Sequence, residues 1–175
     1  NPKQWNALKL LNKEGEFLSD SDGKKILEIA KNEDFIFSDI NQIGSLVHNN
    51  SHNDQHIDDV LNLELVDVEL IKSKKYKVVL DAVNSTGGIL IPKLLEKLGV
   101  ECVRLYCDPN GDFPHNPEPL AENLTEISNL VVASSADLGI VVDPDVDRLA
   151  LVCEDGSMFG EEYTLVTVAD YVLSK

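Results

Sequence analysis

The residues that could do chemistry in this sequence are concentrated in one acidic stretch. Asp143, Asp145 and Asp147 occupy alternate positions, and Arg148 follows them directly. Three carboxylates this close repel one another unless a cation neutralises them, and hard divalent ions such as Mg²⁺ take oxygen ligands. Arg148 has only hydrogen-bond donors, so it is no ligand, but its guanidinium suits phosphate oxygens. The pattern predicts a divalent-metal site beside an anion contact, and a solvated acidic turn is the simpler alternative.

Geometry requires this acidic stretch to bend. In an extended strand, alternate residues lie about 6.6 Å apart, whereas Mg²⁺ takes its ligands at about 2.0–2.1 Å. Pro144 and the abrupt change to polar residues favour a tight loop over a helix. The flanking segments 138–142 and 149–153 are apolar, which predicts two buried strands joined by the loop.

A calcium-binding EF-hand loop is the competing metal site. The three aspartates occupy positions one, three and five of such a loop, and Glu154 occupies position twelve. Position six, which needs glycine for its sharp turn, is Arg148. The strand-like flanks also differ from the helices of an EF-hand. A non-catalytic α/β module that binds Ca²⁺ or Mg²⁺ is therefore kept as the alternative function.

The acidic stretch resembles the magnesium loop of the α-D-phosphohexomutases (phosphoglucomutase, phosphomannomutase and relatives), which is usually Asp-Pro-Asp-Gly-Asp-Arg. Residues 1–9, Asn-Pro-Lys-Gln-Trp-Asn-Ala-Leu-Lys, resemble a second signature, the segment that follows the phosphorylated serine of this family. Residues 78–88 and 113–119 agree more loosely. By this resemblance, residues 1–70 are expected to be the incomplete end of domain 1, and residues 71–175 the metal-loop domain 2.

The resemblance implies an enzyme that interconverts hexose 1-phosphate and hexose 6-phosphate through a phosphoserine and a bisphosphate intermediate. It implies that the three aspartates hold Mg²⁺, whose fourth ligand is a phosphoserine oxygen. Lys9 would handle a proton or hold the phosphate, and Arg148 would pair with the phosphoserine or the substrate phosphate. In the family the phosphorylated serine lies two residues before the position that corresponds to Asn1. Domains 3 and 4 of the family follow the position that corresponds to Lys175. The isolated chain is therefore expected to be inactive, and the choice of hexose lies in domain 3.

Val146 departs from the family pattern, because it occupies the position where glycine is usual. A β-branched residue is costly in left-handed backbone. If the glycine of the family has a positive φ, we expect the loop to bend differently here and the metal site to be distorted.

Three other segments carry weaker signals. Residues 51–53, Ser-His-Asn, repeat the serine signature without its proline, and we expect their surroundings, residues 48–53, to form a surface loop. Residues 85–88, Ser-Thr-Gly-Gly, could hold a phosphate at a helix N-terminus, but they lack the Walker lysine, so a plain tight turn is the simpler prediction. His115 could be a ligand or an acid/base group, yet a loop histidine among prolines is usually solvated.

Composition narrows the class of protein. Of the 175 residues, 43% are hydrophobic, which is enough for one core and part of another. The net charge of −16 disfavours nucleic acid as a partner, and the absence of an apolar run of about 18 residues disfavours a membrane span. The cysteines are odd in number and lack a metal-type spacing, which predicts thiols in a reducing, cytoplasmic compartment.

The apolar pattern predicts an α/β fold. We expect a three-layer α/β/α domain with a mixed, mostly parallel sheet, preceded by part of another α/β domain. Strands are predicted at 77–81, 100–106, 138–142 and 149–153, the last antiparallel at an edge. Helices are predicted at 20–32, 54–69, 88–98, 120–134 and 161–174. This order places the acidic loop beyond the carboxyl end of a strand, where α/β folds bind ligands.

Overall fold

The computed structural model describes residues 9–175, which form two compact units, residues 9–49 and residues 50–175. Asn1–Leu8, and with them most of the predicted serine-flanking signature, lie outside the described residues. The domain boundary predicted between residues 70 and 71 stays a prediction.

The smaller unit contains helix α1, Asp20–Asn32, with the bounds that the sequence predicts. Ser19 begins the helix, because its hydroxyl oxygen accepts a hydrogen bond from the backbone amide of Asp22 at 3.2 Å. Lys31 in the last turn complements the helix dipole. A short 3₁₀ turn follows at Ile40–Gln42.

The larger unit is built on a four-stranded sheet. Its strands are β1 Lys77–Asp81, β2 Glu101–Leu105, β3 Leu138–Val142 and β4 Leu149–Cys153. The spatial order is β2-β1-β3-β4: β1 pairs in parallel with β2 and β3, and β4 pairs antiparallel with β3 at the edge. The predicted mixed, mostly parallel sheet with an antiparallel edge strand is confirmed.

Helices cover both faces of this sheet. They are α2 His52–Leu61, α3 Val68–Lys74, α4 Gly87–Lys97, α5 Thr125–Ser134 and α6 Glu161–Leu173. Alternate residues of β1 face opposite layers. Val78 packs with Leu95 of α4, whereas Val79 packs with Ile127 and Val131 of α5. These five side chains are at most 6% exposed, and each contributes about 1.5–3 kcal/mol by its burial.

Two local predictions are wrong. Residues 54–69, predicted as one helix, form α2 and α3, because the chain turns between them and the Asp67 carboxylate begins α3 at the Leu70 amide. The helix predicted at 120–134 begins only at Thr125, after a 3₁₀ turn. Apolar spacing continues across both interruptions, so periodicity alone did not reveal them. The surface loop predicted at 48–53 is exposed throughout, and only its last two residues, His52 and Asn53, belong to α2.

No helix within residues 9–175 has the length and apolar character that a membrane span requires.

Candidate metal centre

The acidic loop begins where β3 ends. Because β1 and β3 are parallel, their carboxyl ends meet at one edge of the sheet, where Asp81 ends β1 and Asp143 follows β3. Among the described residues these are the two buried charged side chains, 1% and 3% exposed. A buried carboxylate is costly unless it is hydrogen-bonded or paired with a cation, so the partners of both define this edge.

Asp143 folds the loop around its own carboxylate. Its Oδ1 accepts hydrogen bonds from the backbone amides of Asp147 and Arg148, each at 3.1 Å. Its backbone carbonyl accepts another from the Val146 amide at 3.2 Å. Val146 has a φ of +63°, so the chain turns sharply and the predicted bend is confirmed. Val146 thus adopts left-handed backbone although a β-branched residue is costly there, and the expected difference from the loop of the family stays a prediction.

The bend brings the three carboxylates together. One oxygen each from Asp143, Asp145 and Asp147 lies within 4.8 Å of the other two. Neighbouring ligands of an octahedral Mg²⁺, each at about 2.1 Å from the ion, are about 3.0 Å apart, so side-chain movements of up to about 2 Å would complete the cluster. Asp143 is buried and the other two are exposed, which leaves one side of the cluster open to further ligands. The all-oxygen donor set fits Mg²⁺.

The electrostatics of the cluster favour a cation. Burial raises the pKa of the Asp143 carboxyl above its ordinary value, and the hydrogen bond from the Arg148 amide opposes this shift. The negative charges of Asp147 and Asp145 raise the pKa of Asp143 further. A divalent ion would offset both the cost of burial and the repulsion among the carboxylates.

Arg148 joins the acidic loop to the segment 113–119. Its guanidinium pairs with Glu118, and its Nε lies 3.7 Å from Asp143 Oδ2 and 3.8 Å from Asp147 Oδ1. The half-exposed guanidinium borders an open cleft of about 450 Å³. The apolar side of this cleft includes Leu120, Leu149 and Met158. An anion entering the cleft could reach Arg148, in competition with Glu118.

The Ser-Thr-Gly-Gly turn supports the acidic loop. Ser85 Oγ and Thr86 Oγ1 both donate hydrogen bonds to the backbone carbonyl oxygen of Pro144, at 2.9 and 2.8 Å. Gly87 packs closely against the end of β3, since a Cβ there would lie 2.6 Å from Val142 Cγ2. The predicted tight turn is confirmed, and its hydroxyls face a protein carbonyl.

His115 contacts a buried carboxylate, so the expectation of a solvated histidine is wrong. Its side chain is 16% exposed, and its Nε2 lies 3.0 Å from Asp81 Oδ2. Its Nδ1 lies 2.7 Å from the carbonyl of Asn116, which only accepts, so Nδ1 carries a proton. Burial raises the pKa of Asp81, whereas the hydrogen bond from the Val83 amide and the charge of His115 lower it.

Sequence reasoning missed two residues of this region, Asp81 and Glu118. Asp81 could have been found as an acid that ends a strand predicted to lie parallel to β3. Glu118 carried no signal beyond its place between two prolines. Lys9 is exposed and belongs to residues 9–49, and its catalytic role stays a prediction.

Known proteins resemble this chain in sequence. The family model for "phosphoglucomutase/phosphomannomutase, alpha/beta/alpha domain II" matches residues 54–156. The chain is 36% identical over 174 residues to the phosphoglucomutase/phosphomannomutase of Thermococcus kodakarensis, covering 99% of this chain and 38% of that protein. It is 36% identical over 159 residues to the probable phosphoglucosamine mutase of Methanobrevibacter smithii, covering 90% of this chain and 34% of that protein.

The fold also matches a solved structure. A phosphoglucomutase/phosphomannomutase family protein from Burkholderia thailandensis aligns with a TM-score of 0.67 and 29% identity, over 90% of this chain and 32% of that one. In these three comparisons the chain spans between 32% and 38% of the length of its relatives.

Proposed function

Because the chain belongs to the phosphoglucomutase/phosphomannomutase family, we propose that it is the metal-loop part of a phosphohexomutase. Residues 71–175 would be domain 2, and residues 1–70 the end of domain 1. The whole protein would interconvert hexose 1-phosphate and hexose 6-phosphate through a phosphoserine and a bisphosphate intermediate. Its substrate would be a hexose phosphate, which it would enclose with domains 3 and 4 of the same protein.

One observation carries this proposal: three carboxylates converge beside a guanidinium at the carboxyl edge of the sheet. Asp143, Asp145 and Asp147 would hold Mg²⁺, which when bound neutralises charge on a transferring phosphoryl group. Oδ1 of Asp143 is occupied by two backbone amides, so it keeps the loop closed around the cluster. Such a cluster places oxygen ligands for a metal beside a guanidinium that can donate hydrogen bonds to a phosphate, and both kinds of group stabilise the charge that develops in phosphoryl transfer.

Arg148 would bind phosphate oxygens, since its planar fork offers parallel N–H donors. Glu118 accepts a hydrogen bond from the guanidinium at the cleft. A phosphate that displaces the Glu118 carboxylate would accept hydrogen bonds from the same N–H groups of Arg148. The pair is exposed, so it contributes at most about 1 kcal/mol, and a dianionic phosphate can compete with it. Lys9 would handle a proton or hold the phosphate.

The proposal is tested on a full-length protein that carries these residues. We expect Mg²⁺-dependent mutase activity on glucose, mannose or glucosamine 1-phosphate. Asp145→Asn should lose more than about 100-fold in activity, because loss of an outer partner of a metal ligand already costs about 10–100-fold and Asp145 is proposed as a ligand itself. Asp155→Asn is the matched control, because Asp155 is exposed and lies outside the cluster. Absence of mutase activity on all three sugar phosphates would refute the proposal.

The isolated 175-residue chain is expected to show no mutase activity, because it matches at most 39% of the length of these relatives. A calorimetric titration of this chain separates the proposal from the alternative, a non-catalytic cation-binding module. Weak binding of Mg²⁺ fits a site that shares its metal with a phosphoserine. Tight, Ca²⁺-selective binding would favour the module.

We also propose a cytoplasmic location, supported by the state of the cysteines. Cys102, Cys107 and Cys153 are all free thiols. Burial raises the pKa of Cys102 and raises that of Cys107 to about 11, so both thiols stay protonated and unreactive at neutral pH. Alkylation of the denatured protein, taken directly from cells, should label all three.

A further inference from the structure

We infer that Ser85 and Thr86 are positioning residues for the acidic loop, acting through the backbone carbonyl of Pro144. The inference rests on the proposed metal-binding function of that loop. Both hydroxyls donate to the same oxygen, at 2.9 and 2.8 Å, from a turn that is 59 and 58 residues away along the chain. A carbonyl oxygen has two lone pairs, so this one is saturated by the two donors.

The carbonyl of Pro144 belongs to the peptide unit that joins Pro144 to Asp145. Rotation of this planar unit would move Asp145 relative to Asp143, and would therefore separate two of the three carboxylates. Two hydrogen bonds to its oxygen oppose that rotation. The hydroxyls thus set the distance between carboxylates that they do not themselves touch.

Thr86 makes this long-range contact at a position where a local capping bond is common. It occupies the residue before α4, where a threonine hydroxyl commonly accepts a hydrogen bond from an amide of the first helical turn. In this structure the Thr86 side chain makes no such capping bond, and its hydroxyl donates to Pro144 instead. The polar contact of this hydroxyl that fixes its direction is therefore the long-range one to the acidic loop.

The turn is itself rigidly held, as a positioning group must be. The Asn84 amide donates to the carbonyl of Tyr106 at 2.6 Å, and its side-chain Nδ2 donates to the carbonyl of Asp112 at 3.0 Å. Gly87 lies so close to the end of β3 that a Cβ would reach Val142 Cγ2. The two hydroxyls are therefore fixed relative to the strand from which the acidic loop departs.

The acidic loop needs external support because it contains Val146 at a φ of +63°. Non-glycine residues persist in left-handed backbone only where the surrounding structure holds them there. The two hydrogen bonds at Pro144 lie two residues before this position and supply such support. They allow the loop to converge its carboxylates without a glycine at its tightest point.

The test uses Ser85→Ala, Thr86→Val and the double variant, with Thr86→Ser as the variant that keeps a hydroxyl. Ser134→Ala is the matched control, because it removes a similar hydroxyl-to-carbonyl bond of 2.7 Å from α5, away from the loop. Two quantities are measured: hydrogen exchange of the Asp147 and Arg148 amides without metal, and the Mg²⁺ affinity by calorimetry.

In the double variant we expect exchange of the loop amides to rise about tenfold and Mg²⁺ affinity to fall about tenfold, the size typical for loss of an outer partner of a metal site. Thr86→Ser should retain the affinity that Thr86→Val loses, and Ser134→Ala should change neither quantity. Exchange in α5 checks that each variant is folded.

Unchanged loop exchange in the folded double variant overturns the inference, as does an equal effect of Ser134→Ala. If the unsubstituted protein binds no Mg²⁺, the proposed metal function fails, and loop exchange alone still decides whether the hydroxyls position the loop. The two failures are therefore distinguishable.

Discussion

Replacing Val146 tests the backbone of the acidic loop directly. Val146 has a φ of +63° and its side chain is 37% exposed. Glycine and alanine at this position lose the same packing of the valine methyl groups, but only alanine keeps a Cβ in left-handed backbone. The difference in stability between Val146→Gly and Val146→Ala therefore isolates the backbone strain from the loss of packing.

The magnitude follows from two opposing terms. Left-handed backbone costs a residue with a Cβ about 1–2 kcal/mol. Glycine avoids this cost but gives the unfolded chain more freedom, which destabilises the fold by about 0.4–1 kcal/mol relative to alanine. The strain term is larger, so we expect Val146→Gly to be more stable than Val146→Ala by about 0.8 kcal/mol.

A control pair at ordinary φ reverses this order. Glu154 is exposed in the turn after β4 and does not have a positive φ. Glu154→Gly should be less stable than Glu154→Ala by about 0.4–1 kcal/mol, because only the unfolded-state term acts there. The two pairs differ in backbone conformation and share the same comparison of glycine with alanine.

The assay is urea unfolding followed by far-ultraviolet circular dichroism. With a slope of about 1–3 kcal/mol per molar urea, the expected difference between Val146→Gly and Val146→Ala is about 0.3–0.8 M in the midpoint. If Val146→Gly is less stable than Val146→Ala by as much as the Glu154 pair shows, Val146 carries no left-handed strain and the reasoning fails.

Three further substitutions test the surroundings of the loop. Gly88→Ala should destabilise the protein by about 3 kcal/mol in urea unfolding, because the new Cβ would lie 2.3 Å from the Cys107 carbonyl oxygen; a loss below about 1 kcal/mol would contradict this. Burial raises the pKa of Asp81 in the folded state above its unfolded value of about 3.9, so binding of this proton stabilises the folded state. That contribution to the free energy of unfolding is lost as pH rises from about 3.9 through the folded pKa. Asp81→Asn, whose amide does not titrate, should flatten that part of the stability profile measured against pH. Mg²⁺ at 100 times its Kd should stabilise the unsubstituted protein by about 2.7 kcal/mol in thermal unfolding but leave Asp143→Asn unchanged; equal stabilisation would exclude Asp143 as a ligand.

Most of the sheet could be predicted from the sequence. Strands 77–81, 138–142 and 149–153 have the predicted bounds, because each is a short apolar run that ends at charged or turn-forming residues. The helical segment 54–69 could not be predicted correctly, since apolar spacing continues across the turn between α2 and α3. That turn is stabilised by the Asp67 cap, a local hydrogen bond that periodicity does not report.

The sequence by itself determined the acidic loop, its metal-type carboxylates and the family resemblance, since all of these depend on neighbouring residues. It also identified Val146 as an exception. Only the tertiary structure showed that Val146 adopts a positive φ. It also showed that Thr86 donates a hydrogen bond to Pro144, 58 residues away along the chain, and that His115 contacts the buried Asp81, 34 residues away. These contacts depend on which strands are neighbours in the sheet. The pairing of β1 with β3 is a long-range choice, made by burial and backbone hydrogen bonding across the whole unit, and no local pattern encodes it.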